Sequence, residues 1–335
     1  MPLVIPVFIP HQGCPQHCLF CNQVSISGKQ SQKEDDSVLV RETITEWLGF
    51  SRKHSDVQVA FYGGSFTCLP KERQKILLDA VQPFLKKGEV SSVRLSTRPD
   101  CMDDEICEFL RIHGVKTVEL GVQSLDDRVL AAADRGHSSE DSLQAIRTLQ
   151  KKGMKPGVQL MPGLPYESTL SFLATLHRVI ECKPDFVRLY PTLVINGSGL
   201  AREYERGRYQ PMSMNRAIAL CCLAKERLDQ AGIQIMRMGL QASETLEDEL
   251  IAGPYHPSFG ELVVARHWFK RVRPLLAGCP SDKRLDIQIS NRDLSAFIGL
   301  KRANIKRLRA LGLELRLKLT TDKTLKRGTL NYVIN

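Results

Sequence analysis

Nowhere in the 335 residues does an uncharged apolar run reach the ~18 residues that a membrane-spanning helix needs. The opening segment Met1-Pro2-Leu3-Val4-Ile5-Pro6-Val7-Phe8-Ile9 has no basic cluster and no small-residue cleavage site. It reads as a buried first strand and not as a secretory leader. Read without a leader, the ten cysteines lead one to expect a reducing cytoplasm and not a disulfide scaffold. Also missing are G-x-x-x-x-G-K-[ST], G-x-G-x-x-G and H-E-x-x-H, so nucleotide hydrolysis, dinucleotide binding and zinc proteolysis lack support. Low-complexity segments are absent as well. What remains is 42% hydrophobic with 17 prolines, a composition that suits one large globular domain plus a small one.

Three of the cysteines crowd into Gly13-Cys14-Pro15-Gln16-His17-Cys18-Leu19-Phe20-Cys21-Asn22. Cys14, Cys18 and Cys21 follow the spacing CxxxCxxC, which lets three thiolates meet one face of a compact metal centre. Three is one short of the four usual for a 4Fe–4S cluster or a structural zinc. Two readings stand at this point: a cluster with one open iron, or a zinc knuckle completed by His11 or His17. The other seven cysteines form no second cluster motif. Cys221-Cys222 falls in an apolar helix and reads as core, and Cys101 and Cys107 flank a helix start at loose spacing.

Short apolar runs alternate with helix-patterned stretches. Strands are expected at the N-terminus and at Val57–Phe61, Val93–Ser96, Thr117–Val122, Gly157–Met161 and Phe186–Tyr190. Helices are expected from Pro70 to Leu85 and over Asp103–Ile112, Asp126–Ala133, Ser139–Lys152 and Thr169–Glu181. Six β–α repeats make the class α/β with a parallel sheet. Strands covered on both sides should be apolar on both faces. Here Arg94, Ser96, Glu119, Gln123, Gln159, Arg188 and Tyr190 interrupt the alternation. A buried polar side chain needs a partner. These faces therefore imply either a shared polar lumen for a charged ligand or an internal hydrogen-bond network. A closed eight-stranded barrel fills its lumen with apolar side chains, so an open, partial (βα)6 barrel is expected. The pair Gly63-Gly64 after the second strand permits close approach of a ligand to the backbone.

Charge is uneven. The net charge is +10, yet residues 283–335 alone hold 13 Lys/Arg against 4 Asp/Glu, a balance of +9 that leaves +1 for the rest. A basic tail on a near-neutral body suggests a nucleic-acid partner, the plain alternative being a solvated basic surface. Leu285–Ile289 alternates as a strand, Asn291 and Asp293 precede a helix to Ile298, and Gly299-Leu300-Lys301-Arg302 turns into a helix over Asn304–Leu311. Leu313–Leu319 and Thr329–Ile334 alternate as further strands. This order resembles a KH RNA-binding module. Phe297–Ile305 is similar to its Ile-Gly-x-x-Gly-x-x-Ile signature, with Arg302 in place of the second glycine. The resemblance implies backbone clamping of phosphates, with Lys301, Arg302, Lys306 and Arg307 as candidate RNA contacts.

The Cys loop, the Gly-Gly turn and the polar strands occur in the order of the radical S-adenosylmethionine (SAM) superfamily. Ser96-Thr97-Arg98-Pro99-Asp100, Gly121-Val122-Gln123-Ser124, Arg135-Gly136-His137-Ser138, Pro162-Gly163-Leu164-Pro165 and Leu189–Ile195 resemble the radical SAM half of the Elongator catalytic subunit over residues 1–215. The resemblance implies a 4Fe–4S cluster on Cys14, Cys18 and Cys21, and SAM that is reductively cleaved to a 5′-deoxyadenosyl radical able to abstract hydrogen from a substrate. It implies Phe20 near the adenine, Gly63, Gly64 and Ser65 at the methionyl amino group, and Gln123, Arg135 and Gln159 as further SAM contacts. Ser96 stands where relatives often carry Glu. An electron donor is implied as a partner.

At this length the chain has no room for the acetyltransferase domain that Elongator's subunit adds. Arg237–Gln241 and the loop Ala252–Glu261 depart from Elongator and resemble Elongator-related radical SAM proteins without that domain. Candidate substrate contacts are Arg188, Tyr190, Tyr255 and His256, though the Tyr255/His256 loop reads equally as a plain connection. The expected organisation is a barrel over 1–240, a connection over 241–282 and a basic module over 283–335. The expected substrate is RNA or tRNA, the alternatives being a small metabolite, a peptide, or a non-catalytic iron–sulfur RNA-binding protein.

Overall fold

The apolar runs form strands laid side by side in chain order. A computed structural model describes residues 2–9, 14, 17–22, 36–50 and 56–335. His11 and the polar stretch from Ser25 to Asp35 lie outside the described residues. The strands are β1 (Leu3–Phe8), β2 (Val57–Tyr62), β3 (Ser92–Thr97), β4 (Val115–Gln123), β5 (Lys155–Leu160) and β6 (Phe186–Leu189). Each pairs in parallel with the next. Two short strands, β7 (Val194–Ile195) and β9 (Leu250–Ala252), pair antiparallel in a separate two-stranded sheet. A seventh parallel strand, β8 (Gln234–Met238), extends the six expected ones along β6. Its run Gln234-Ile235-Met236-Arg237-Met238 has one β-branched residue and no strict alternation, so it gives a weak strand signal.

Helices return the chain between strands, as parallel pairing demands. Their starts are capped by the residues that the sequence offers. Asp103 accepts the Ile106 N–H at 2.7 Å, and Ser138 with Asp141 forms a reciprocal capping box. The apolar residues Val59, Leu95, Val118, Leu120, Val158 and Val187 are fully buried, as are Leu78, Ile146 and Phe172 of the helices. The polar residues on alternate strand positions share the opposite face. Gly157 shows how tightly that face is filled: a Cβ there would lie 2.2 Å from the Phe186 ring. Arg94 in turn stacks over Phe186, 5.4 Å from its centroid.

Cys68 and Cys101 form a disulfide, and the other described cysteines take part in none. One bridge is no scaffold, but it departs from an all-thiol reading of the chain. Cys221 and Cys222 are fully buried, in keeping with a core role.

The chain divides into two units: residues 1–213 with 228–255, and residues 214–227 with 256–335. The second has its own core of Trp268, Val272, Leu276, Leu285, Ile287, Phe297 and Leu308. Its sheet places β10 (Leu285–Ser290) between β11 (Leu317–Asp322), parallel, and β12 (Leu330–Ile334), antiparallel. Helices Leu294–Ile298 and Ala303–Ala310 flank the turn at Gly299–Arg302. Gly299, Lys301 and Arg302 all take positive φ, at 77°, 50° and 61°. Arg302 thus holds a left-handed backbone that glycine would adopt freely, at a cost of about 1 kcal/mol. Asn304 secures the turn by donating to the Ala265 and Phe297 carbonyls. The alternating run from Leu313 starts as a 3-10 turn over Glu314–Arg316, where Arg309 clamps Glu314 and leaves Leu315 in solvent.

Candidate functional site

At the C-terminal ends of the strands, small residues let polar side chains converge. Gly63 has φ of 90°, and Gly64 and Ser65 follow it. The Ser65 hydroxyl lies 3.0 Å from Thr97 Oγ1, and it accepts the Arg98 N–H at 3.0 Å. Arg98 grips Asp100 through a two-point fork at 2.9 and 2.8 Å. Gly121 is required by its neighbours: a Cβ would lie 2.8 Å from Arg135 Nη2 and 3.0 Å from Gln123 Nε2. Gln123 ends β4 with φ of 67° beside a register shift, a left-handed backbone of the kind found at functional sites. Arg135 donates to the Gly121 carbonyl at 2.6 Å and to Cys18 Sγ at 3.3 Å.

The Cys loop is stitched on from a distance. Leu19 donates to the Ala133 carbonyl, Leu200 donates to the Leu19 carbonyl, and Asn22 Nδ2 reaches the Asn196 carbonyl at 2.7 Å. Gly199 admits the Leu19 side chain, which a Cβ would meet at 2.7 Å.

These segments enclose a cavity of about 170 Å³. Cys14, Cys18 and Cys21 line it together with Phe20, Gly64, Ser65, Ser96, Gln123, Arg135 and Gln159. Thr97, Arg98 and Gly121 complete that wall, with His17 at the rim. No carboxylate is among the described lining residues, whereas two guanidiniums are. Four buried polar atoms of the lining lack a hydrogen-bond partner: Ser96 Oγ, Arg98 Nη1, Gln123 Oε1 and Arg135 Nε. Orphaned groups of this kind are costly unless a ligand satisfies them. Burial pushes the Cys14 thiol up, and Arg135 and Arg98 pull it back toward the thiolate. Three soft sulfur donors, a cationic wall and unmet donors and acceptors suit a thiolate-bound metal cluster beside a ligand that carries a carboxylate.

The lumen holds a second polar set. Glu119, fully buried, accepts from Tyr62 Oη at 2.8 Å, from Arg94 at 2.5 and 3.0 Å, and from Arg188 at 3.0 Å. Arg188 also donates to Tyr190 Oη at 3.0 Å. Burial drives the Tyr62 phenol well above its ordinary range, with the Glu119 charge adding to the effect.

Of the sequence-derived candidates, Gly63 precedes the lining without joining it, and Arg188 and Tyr190 belong to the lumen network. Tyr255 instead donates to Glu247 at 2.7 Å, and His256 Nδ1 accepts the Ser258 N–H in a local turn. Neither is among the residues lining the cavity. In the second unit Lys301, Arg302, Lys306 and Arg307 are exposed, with Arg307 stacked over Phe269. Sequence reading gave no role to Arg98, Tyr62 or His137. Arg98 and His137 stood inside quoted motifs, and only the fold shows that the Arg98 charge lies near the His137 ring.

His137 is buried near Arg135, Arg98 and Asp100. Burial, then the Arg135 charge, pushes its imidazole down to about 3. The unfolded chain binds a proton near pH 6.5 that the folded chain refuses, so stability falls as pH drops below that value. Between pH 7 and pH 5 the expected loss is about 2 kcal/mol. Urea unfolding across that window should show it, and His137→Leu should remove most of the slope. An unchanged slope would place the proton elsewhere.

Sequence comparison assigns residues 8–179 to the family described as Radical SAM superfamily, and residues 184–269 to the Radical_SAM C-terminal domain. An uncharacterised protein of Methanocaldococcus jannaschii is 29% identical over 64% of this chain and 69% of its own length. A tRNA uridine(34) acetyltransferase of Methanocaldococcus infernus is 33% identical over 57% of this chain, which spans only 36% of that enzyme. The solved archaeal Elp3 of Methanocaldococcus infernus superposes with a TM-score of 0.63 at 24% identity, covering 82% of this chain and 63% of that one. The sheet, its strand order and the matched residues agree: the chain belongs to the radical SAM superfamily, enzymes that use a 4Fe–4S cluster and S-adenosylmethionine.

Proposed function

We propose that Cys14, Cys18 and Cys21 hold the cluster, that the remaining cavity wall holds SAM, and that the substrate is RNA. The observation that carries the cofactor assignment is that three thiols, two guanidiniums and four unpartnered polar atoms line one cavity. When bound, the cluster and SAM supply reductive formation of a carbon-centred radical; the protein's task is to bind, orient and exclude water. Arg135 keeps a charged hydrogen bond on Cys18, and its free Nε, with Arg98 Nη1, supplies donors for the SAM carboxylate. Gly64 and Ser65 of the cavity wall offer backbone oxygens to the methionyl ammonium, and Gly63 sets the turn that presents them. Ser96, Gln123 and Gln159 serve the ribose and adenine, and Phe20 packs against the base. Arg94 and Arg188 around a single Glu119 leave the lumen cationic, which favours an anionic substrate.

Two features support RNA. Lys301, Arg302 and Lys306 project from one exposed turn and the helix that follows it, the right charge and backbone for phosphate contacts. Several relatives are also named as tRNA uridine(34) acetyltransferases. A small anionic metabolite is the second reading, favoured by Arg188 in the lumen.

The test is anaerobic release of 5′-deoxyadenosine by the reconstituted enzyme, with and without bulk tRNA. RNA should raise the rate. Lys301→Ala/Lys306→Ala should weaken RNA binding and lower its salt slope by about 1.4, the share of two phosphate contacts on a single strand. Cleavage without RNA should stay unchanged in that variant. A rate indifferent to RNA would move the substrate to metabolites.

A further inference from the structure

We infer that Cys68 and Cys101 form a reversible redox-modification site that sets the affinity of the neighbouring cavity for SAM. The inference rests on the SAM assignment made above. The two cysteines lie 33 residues apart in the chain, with Cα atoms 5.6 Å apart. Each ends a 3-10 turn directly after a lining segment: Phe66–Cys68 follows Gly64 and Ser65, and Pro99–Cys101 follows Ser96, Thr97 and Arg98. The bridge therefore ties together the two loops that build one wall of the cavity.

The tie reaches the lining through a hydroxyl cluster. Ser65 Oγ lies 2.9 Å from Cys68 Sγ and 3.0 Å from Thr97 Oγ1 while accepting the Arg98 N–H. Thr67 Oγ1 lies 2.6 Å from Thr97 Oγ1. A disulfide sulfur can only accept a hydrogen bond, so in the bridged form the Ser65 proton is free to point toward Cys68. A Cys68 thiol carries its own proton and competes as a donor. Reduction thus changes both the freedom of the wall and the direction in which Ser65 donates. The bridged wall is preorganised, and preorganisation raises affinity by removing an ordering cost.

The exchange partner is a low-molecular-weight disulfide of the glutathione class. One protein thiolate attacks it, breaking its S–S bond and forming a mixed disulfide. The second protein thiolate then displaces the remaining thiol. One protein S–S bond forms, and two electrons pass from the protein sulfurs to the reagent. The two protons end on the two thiols released. Coupling is reciprocal: if the bridge favours SAM, SAM favours the bridge by the same factor.

The experiment uses the reconstituted protein under anaerobic conditions, equilibrated in glutathione buffers of graded ratio. Thiol alkylation with peptide mass analysis reads Cys68 and Cys101. Equilibrium dialysis with labelled SAM reads affinity, and visible absorbance follows the cluster. Cys68 and Cys101 should lose reactivity together, and the SAM Kd should tighten about tenfold over the same midpoint. Added SAM should move that midpoint toward more reducing buffer. The Cys68→Ser/Cys101→Ser variant should show one weak Kd at every ratio.

A pair that titrates while Kd stays constant would overturn the coupling and leave a bond that is only structural. A pair that remains reactive in every buffer would overturn the bond itself. SAM retained in no buffer, with the cluster intact, would instead overturn the SAM assignment on which the inference rests.

Discussion

Glu119→Ala is expected to lower the stability of the first unit by about 3–5 kcal/mol, the usual effect of leaving buried charge without its partner. The carboxylate lies at the centre of four groups, Tyr62, Arg94, Gln159 and Arg188, and is itself fully buried. Its removal strands two guanidiniums in the lumen and opens a void beside Gly157. In a unit of this size the shift should be roughly 10 °C in the unfolding midpoint. Glu119→Gln keeps the volume and accepts hydrogen bonds with one oxygen, so a smaller loss is expected. Tyr62→Phe, which removes one neutral donor, should be milder still, near 1 kcal/mol. Calorimetry on the three variants separates charge from volume, because a purely steric role for Glu119 would leave the glutamine variant without a loss. A glutamine variant as stable as the unsubstituted protein would show that the charge does not matter there.

Cys18→Ala should abolish 5′-deoxyadenosine formation and bring iron and acid-labile sulfide in the reconstituted protein close to background. Two thiols cannot replace three at a centre that already lacks a fourth protein ligand. Arg135→Ala tests the neighbouring role. Its guanidinium touches Cys18 Sγ without being a ligand, and loss of such an outer partner typically lowers metal affinity or activity about 10–100-fold. The cluster should still assemble in that variant, weakly, with SAM affinity reduced as well. Zinc in place of iron, about one per chain and without visible absorbance, would support the knuckle reading of the Cys loop. A Cys18 variant that still cleaves SAM would overturn the ligand assignment. RNA affinity should be the same in both variants, since the basic turn belongs to the other unit.

Much of the site could be read from the chain because its signals are local. CxxxCxxC is a contiguous spacing, and the polar residues of β3 to β6 repeat every second position, the period of a strand. Their meaning as one lumen follows from parallel pairing, which puts Ser96 beside Glu119 and Gln159 beside Arg188. What escaped is non-local. Cys68 and Cys101 become neighbours only because β2 and β3 are adjacent in the sheet. Tyr62 closes an apolar strand and shows no polar pattern, yet its hydroxyl turns to Glu119. The Tyr255/His256 loop drew notice through its Gly and Pro content. Composition of that kind marks a turn and says nothing of where its side chains go.

The anchoring of the Cys loop has a consequence in time. Asn22 is held by Asn196, 174 positions later, and Leu19 is held by Ala133 and Leu200. A ribosome adding about 5–20 residues per second delivers Asn196 and Leu200 roughly 10–40 s after the cysteines themselves. During that interval the three thiols are on the nascent chain without the contacts that later hold them. Loading of the cluster proposed on these thiols is therefore expected to be a late step, one that waits until Asn196 and Leu200 have been made. Nascent chains stalled before Asn196 should emerge with their cysteines still open to alkylation.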